Sequence, residues 1–159
     1  MTRIAVSGHR GFSPDVEAVI DRAVRAELAP HADDKLVGLS CLADGADQIF
    51  ARAVLDAGGK LEVVVPAARY RDALPEQAHQ GYDSLLNRAA AVHQLDYVES
   101  TSESHMDASI EMVKRADLLF AVWDQQPARS FGGTADVVAY ARKIELPVVV
   151  IWPEGARRD

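Results

Sequence analysis

Short, uninterrupted apolar runs alternate along this chain with longer segments of helical period, and that alternation leaves few folds open. Val63-Val64-Val65 and Val148-Val149-Val150-Ile151 carry no polar residue on either side of the pleat. A strand with one wet face would alternate apolar and polar residues. These runs instead fit strands buried on both faces, in a parallel sheet covered by helices on both sides.

The rest of the sequence supplies those helices. Arg3 to Ser7 reads as the first strand. Ser13-Pro14 then opens a helix, with Ser13 as cap, and Val16, Ile20, Ala23, Val24 and Leu28 fall on one face until Pro30 ends it. Leu36 to Ser40 is a second strand. A helix from about Asp44 follows, with Ala46, Ile49, Phe50, Ala53, Val54 and Ala57 inward, and Gly58-Gly59 stops it. Leu61 to Val65 is a third strand, closed by Pro66. The stretch 67–91 is less regular, with a helix in its second half marked by Tyr82, Leu85, Leu86 and Ala89. Leu95 to Val98 reads as a short strand and Ser100 to Ser104 as a polar loop. Met106, Ile110 and Val113 mark another helix, and Leu118 to Trp123 a strongly apolar strand. A helix follows Gly132-Gly133-Thr134, and Val148 to Trp152 is the last strand; Glu154 to Asp159 reads as a frayed polar tail. The expectation is an α/β protein: one three-layer, Rossmann-like domain over 1–159, with a mainly parallel sheet and helices on both faces.

With 48% apolar and 26% charged residues the chain reads as globular. No apolar run approaches the roughly 20 residues of a membrane helix, and the N-terminus lacks a signal-peptide pattern, so a cytoplasmic protein with no membrane partner is expected. Cys41 is the only cysteine, which excludes an internal disulfide and a cysteine metal cluster. His9, His31, His79, His93 and His105 show no paired metal spacing, so no metal and no cofactor is expected. A net charge of −7 argues against a nucleic-acid partner, which needs a basic surface. It leaves room for a small phosphorylated ligand held by a few amides and one or two arginines.

In open parallel sheets ligands sit beyond the carboxyl ends of the strands. Three such ends carry unusual residues. After the first strand comes Ser7-Gly8-His9-Arg10-Gly11-Phe12, where Gly8, His9 and Gly11 could approach a ligand and Arg10 could hold a phosphate. An ordinary glycine turn with an exposed arginine fits the same residues. After the second strand comes Ser40-Cys41-Leu42-Ala43-Asp44-Gly45-Ala46-Asp47. Ser40 ends the strand, and Gly45 stands at a helix start that favours anions. Asp44 either caps the helix or bonds a ribose or base, and Asp47 lies one turn along. Cys41 reads as a packed small residue. The third end is Trp123-Asp124, then a polar stretch with Arg129, then Gly132-Gly133-Thr134-Ala135-Asp136 at a helix N-terminus, with Thr134 as cap or ligand contact.

With these residues in view, the sequence resembles the SLOG superfamily, the Rossmann-like group that contains the LOG cytokinin-activating enzymes and the DNA-processing A proteins. Val6-Ser7-Gly8-His9-Arg10, the stretch Gly38 to Asp47 and Gly132-Gly133-Thr134 carry the resemblance. The second is similar to the Ser-Gly-x-Ala-x-Gly-x-Asp stretch of the DNA-processing proteins. The third looks like a shortened Pro-Gly-Gly-x-Gly-Thr-x-x-Glu signature of LOG phosphoribohydrolases. Val137 stands where that signature has its Glu, and the nearest acid is Asp136.

The favoured expectation is binding of a nucleotide or nucleotide-derived phosphate ligand at the strand ends, as in a sensor. Phosphate would lie on the amides near Gly8, Gly11, Gly132 and Gly133, with Arg10 as counter-charge and Asp44, Asp47 or Asp124 on the sugar or base. The alternative is a LOG-like phosphoribohydrolase that cleaves the N-glycosidic bond of a nucleoside monophosphate, with Asp136 and Asp124 as catalytic candidates and Asp44 beside them. A third is a degenerate site in a scaffolding domain. The resemblance also implies a homodimer or higher homo-oligomer. The candidate faces are the Met106 to Val113 and Tyr82 to Val92 helices, which could equally cover the sheet.

Overall fold

The first strand of the chain becomes the middle of the sheet. In the computed structural model, which describes residues 2–158, the strands are β1 (Thr2–Gly8), β2 (Leu36–Ser40), β3 (Lys60–Ala67), β4 (Ala91–Tyr97), β5 (Leu118–Val122) and β6 (Val148–Ile151). The helices are α1 (Pro14–Leu28), α2 (Ala46–Asp56), α3 (Tyr70–Ala73), α4 (His79–Asn87), α5 (Ser102–Lys114) and α6 (Thr134–Lys143). The strands lie in the order β4-β3-β2-β1-β5-β6, and each pairing is parallel. The chain steps outward from β1 to β4, then returns through α5 to place β5 on the other side of β1. The connections therefore diverge between β1 and β5, where a crevice opens at the carboxyl ends of the strands.

Strand alternation divides the core in two. Ile4 and Val6 face one side of the sheet with Leu36, Phe120 and Val122, and α1 and α2 cover them. The α1 stripe Val16, Ile20, Val24 and Leu28 is at most 1% exposed, which stabilises by about 1.5–3 kcal/mol per side chain before chain entropy. Ala5, Leu39, Leu119 and Ala121 face the other side. They pack against Met106, Met112 and Val113 of α5, Val137, Val138 and Ala141 of α6, and Tyr82 and Leu85 of α4. The apolar residues of α4 and α5 are thus spent on covering the sheet. Among the described residues no helix is long and apolar enough to cross a membrane.

Several boundaries differ from the sequence reading, each for a local reason. β4 begins at Ala91 rather than Leu95, because it is an edge strand whose Val92, Gln94 and Asp96 are exposed, so no continuous apolar run marks it. β3 continues through Pro66, whose missing N–H falls where the β3–β4 register shifts, between Val65 and Ala67. The segment 100–104 is not all loop: Thr101 caps α5 through a reciprocal pair, with the Ser104 amide donating to Thr101 Oγ1 at 3.1 Å and the Thr101 amide to Ser104 Oγ at 2.9 Å. Ser replaces the usual Glu or Gln of that motif. Ser13 holds the cap position of α1, but its hydroxyl donates to Asp15 instead of bonding the helix backbone. In the tail, Arg157 Nη2 donates to Asp15 Oδ2 at 2.6 Å.

Candidate functional site

The loops after β1 and β2 form one unit. Gly8 ends β1 against the start of α2, where an added Cβ would lie 2.4 Å from that of Ala46. Gly45, at φ +85°, lets the backbone of His9 and Arg10 cross it; a Cβ there would stand 2.7 Å from the His9 carbonyl oxygen. That close crossing permits the Ala46 amide, the first of α2, to donate to the His9 carbonyl at 3.1 Å. The α2 N-terminus is therefore capped by the neighbouring loop. Asp44 neither caps the helix nor stands free. Its Oδ1 accepts from Arg10 Nε at 3.0 Å, and its Oδ2 from the Gly11 amide at 3.1 Å. Ser40, fully buried, accepts from the Leu42 amide and donates to the Asp47 carbonyl, both at 3.0 Å, which fixes the turn below α2.

The loop after β5 is braced separately. His9 is 5% exposed, packs edge-on to Trp152 and turns Nε2 toward Asp124, 3.1 Å from both its amide nitrogen and Oδ1. Burial, then the Arg158 guanidinium, lowers the His9 pKa, so the imidazole is neutral at pH 7. Burial would raise the Asp124 carboxyl, but the Gln126 amide, His9 and Arg158 together hold it below its usual range. Asp136 turns back on its own loop, where its Oδ2 accepts from the Gly132 amide at 2.9 Å. Val137 is 2% exposed and packs into the core.

Between these braced loops lies a cavity of about 360 Å³ at the β1–β5 switch point. This is large enough for a small ligand. Of the residues nominated from the sequence, Gly8, His9, Arg10, Asp47, Gly132, Gly133 and Thr134 line it. Ser40, Asp124 and Asp136 do not, and Gly11, Asp44 and Gly45 line a separate hollow beside α4. Asp47 is the one acid on the cavity wall among the described residues, and Arg10, Arg129 and Arg158 share that wall. Burial pushes the Asp47 carboxyl up to about 7, against the Ala43 amide and Arg10, which favour its charged form. Gly132, Gly133 and Thr134 present the N-terminus of α6, whose first amides precede the helix's own hydrogen bonds.

Tyr70, Ser102, His105, Phe131 and Arg158 also line the cavity and were not singled out from the sequence. Arg158 was legible in principle. In a parallel sheet whatever follows the last strand emerges on the ligand side, so a basic residue soon after β6 can reach the site, as Arg158 does while Arg157 turns to Asp15. Ser102 and His105 were hidden by the unrecognised cap of α5. Cys41 also reaches the cavity wall, but it is buried with Sγ 3.8 Å from Met112 Sδ, and burial raises its pKa well above the usual range.

A parallel sheet with its cavity at this switch point defines a Rossmann-like α/β fold. No protein-family model and no curated protein matches the sequence, but solved structures do. DNA processing protein A from Streptococcus pneumoniae superposes with a TM-score of 0.69 at 18% identity, covering 97% of this chain and 51% of that one. DNA processing protein A from Helicobacter pylori, whose single-stranded DNA binding mode has been determined, gives 0.68 at 20% identity over 99% of this chain and 68% of that one. A molybdenum cofactor binding protein from Rippkaea orientalis gives 0.59 at 15% identity over 96% and 77%. The chain spans about half the length of the Streptococcus protein.

The expectation of no nucleic-acid partner does not stand. The Helicobacter protein, which shares this fold over 68% of its length, binds single-stranded DNA. The inference from a net charge of −7 failed because a whole-molecule sum says little about one surface: among the described residues three arginines but one acid line this cavity.

Proposed function

We propose that the cavity binds a phosphate-bearing, nucleotide-type ligand, free or as one unit of a single strand. The cavity wall supports this reading: three arginines and the glycine-rich start of a ten-residue helix face one acid. Phosphate would sit against Gly132, Gly133 and Thr134, where the helix dipole and the Thr134 amide favour an anion, the Gly132 and Gly133 amides being engaged with Asp136 and the Ser130 carbonyl. Arg10 and Arg158 already lean on Asp44 and Asp124, so they are oriented before the ligand arrives. Gly8 and His9 would form the floor.

A thermal-shift panel of AMP, ADP, ADP-ribose, cyclic AMP, inorganic phosphate and short oligothymidylate tests the proposal. A ligand at about a hundred times its Kd stabilises by about 2.7 kcal/mol, an easily visible shift. The absence of a shift with each of these would sink the reading. A shift only with the oligonucleotide would make a strand the ligand.

A second reading, hydrolysis of a nucleotide's N-glycosidic bond, draws on Asp47. Asp136 and Asp124 are engaged in bracing loops, whereas Asp47 faces the cavity with a pKa suited to general acid work at pH 7. Release of free base from AMP, lost in Asp47→Ala and kept in Asp136→Ala, would establish it. AMP left intact by the wild-type protein would rule it out for that substrate.

A further inference from the structure

Asp47 sits in the first turn of α2, where an acidic residue ordinarily faces water. Here it faces a cavity instead. Its Oδ2 accepts from the Ala43 amide at 3.2 Å, and its carbonyl is held by Ser40 Oγ, so the side chain is fixed in place. Oδ1 has no hydrogen-bond partner among the described residues, yet no unpartnered side-chain oxygen is sealed from the surface. Oδ1 therefore opens into the cavity.

The charged and titratable groups around it come from four elements, and Arg129 and Arg158 share the cavity wall. Arg10 faces it from the β1–α1 loop but is engaged with Asp44, which stands on the loop Asp47 itself follows. The Cys41 thiol and, from α3, the Tyr70 phenol complete the surround; burial raises both well above their usual ranges, so both are neutral. His105 of α5 meets Tyr70 edge-on, and burial lowers its pKa, so it too is neutral at pH 7. No direct ion pair among the described residues holds Asp47 in the charged form.

An ionised carboxylate here would repel a phosphate-bearing ligand. A protonated one would be a donor aimed into the cavity. Resting on the nucleotide reading above, we propose that Asp47 is a specificity-determining contact: its protonated carboxyl donates from Oδ1 to an acceptor oxygen or ring nitrogen of the bound nucleotide, so that ligand and proton bind together. The site would prefer ligands that present a bare acceptor at this point over those that present an N–H or O–H.

The test is calorimetric titration of AMP into wild type and Asp47→Asn from about pH 7 to about pH 9, where the nucleotide phosphate, with its last pKa at about 6, is already about nine-tenths ionised or more. Each titration is run in two buffers of different ionisation enthalpy, which reports protons taken up. Wild type should take up close to one proton at the alkaline end and lose affinity by about tenfold per pH unit. Asp47→Asn, which cannot ionise, should take up none and bind with little pH dependence. The proton count in wild type stands even if the variant fails to fold. Wild-type binding without proton uptake and without pH dependence overturns this inference and leaves the nucleotide reading intact. AMP that binds neither form at about pH 7, in a protein that melts cooperatively, overturns this inference, and the nucleotide reading falls with it only if the rest of the panel also gives no shift.

Discussion

The Arg10 guanidinium holds one oxygen of Asp44, with Nη2 at 2.8 Å and Nε at 3.0 Å, and this ties the loop after β1 to the loop after β2. The other oxygen takes the Gly11 amide, so one carboxylate sets both the side chain and the backbone of the first loop. Arg10 is 43% exposed, so the ion pair itself is worth little in water. Its consequence is position: Arg10 reaches the cavity from a fixed base.

Asp44→Ala should therefore cost about 1 kcal/mol of stability, most of it from the lost Gly11 hydrogen bond. It should also loosen the first loop. Denaturant unfolding reads the stability change, and faster amide exchange at Gly11 reads the loosening. Exchange unchanged from wild type would mean that Asp44 does not brace the loop.

Gly8→Ala and Gly45→Ala should destabilise far more than a surface change. Each puts a methyl where another atom already stands, 2.4 Å from Ala46 Cβ or 2.7 Å from the His9 carbonyl oxygen. Overpacking of this kind costs about 1–3 kcal/mol, and Gly45 adds the strain of a positive φ. Wild-type melting temperatures for both variants would show that the two loops do not cross this closely.

β3 was the legible part of this fold, because a valine run such as 63–65 fits a strand buried on both faces. The run 148–151 also marked a strand, but β6 is the other edge of the sheet and its Val148, Val149 and Val150 are only half-buried. β4 was half legible: as an edge strand it carries His93, Gln94 and Asp96 among its apolar residues, so its pattern faded. The site divided in the same way. Gly8, Arg10, Gly132 and Gly133 were found because strand ends are where a parallel sheet keeps its ligand. Asp44 and Asp124 could be found but not assigned, since their partners, Arg10 and His9, are distant in sequence. Gly45 misled, because the same residue that opens a helix to an anion also lets another loop cross and cap it.

Asp136 gives a sharper case. It bonds the Gly132 amide at 2.9 Å, so Asp136→Ala should free that amide and loosen the turn before α6. Stability should fall by about 1 kcal/mol. Nucleotide affinity should weaken only several-fold, through disorder of the phosphate loop. Affinity lost outright, with the melting temperature unchanged, would instead make Asp136 a direct ligand contact.

The ligand-free protein should also report the state of Asp47 through its stability. In the unfolded protein this carboxyl ionises near pH 4, whereas in the folded protein it keeps its proton to about 7. Between those values the folded state binds more protons than the unfolded one. Its stability at this position therefore falls as pH rises, by at most about 1.4 kcal/mol per unit, and levels off above the folded value. Asp47→Asn removes the ionisation and keeps an acceptor for the Ala43 amide. The variant should thus gain on wild type steadily from about pH 5 to about pH 7, then hold a constant advantage at higher pH. His9 works in the opposite direction, since a lowered histidine pKa makes stability fall as pH drops below about 6.5. Both proteins carry that contribution, so the difference between their unfolding free energies isolates Asp47. A difference that stays flat across this range would place the Asp47 carboxyl in the ordinary carboxylate range, charged at neutral pH, and its oxygen in the cavity would then be an acceptor only.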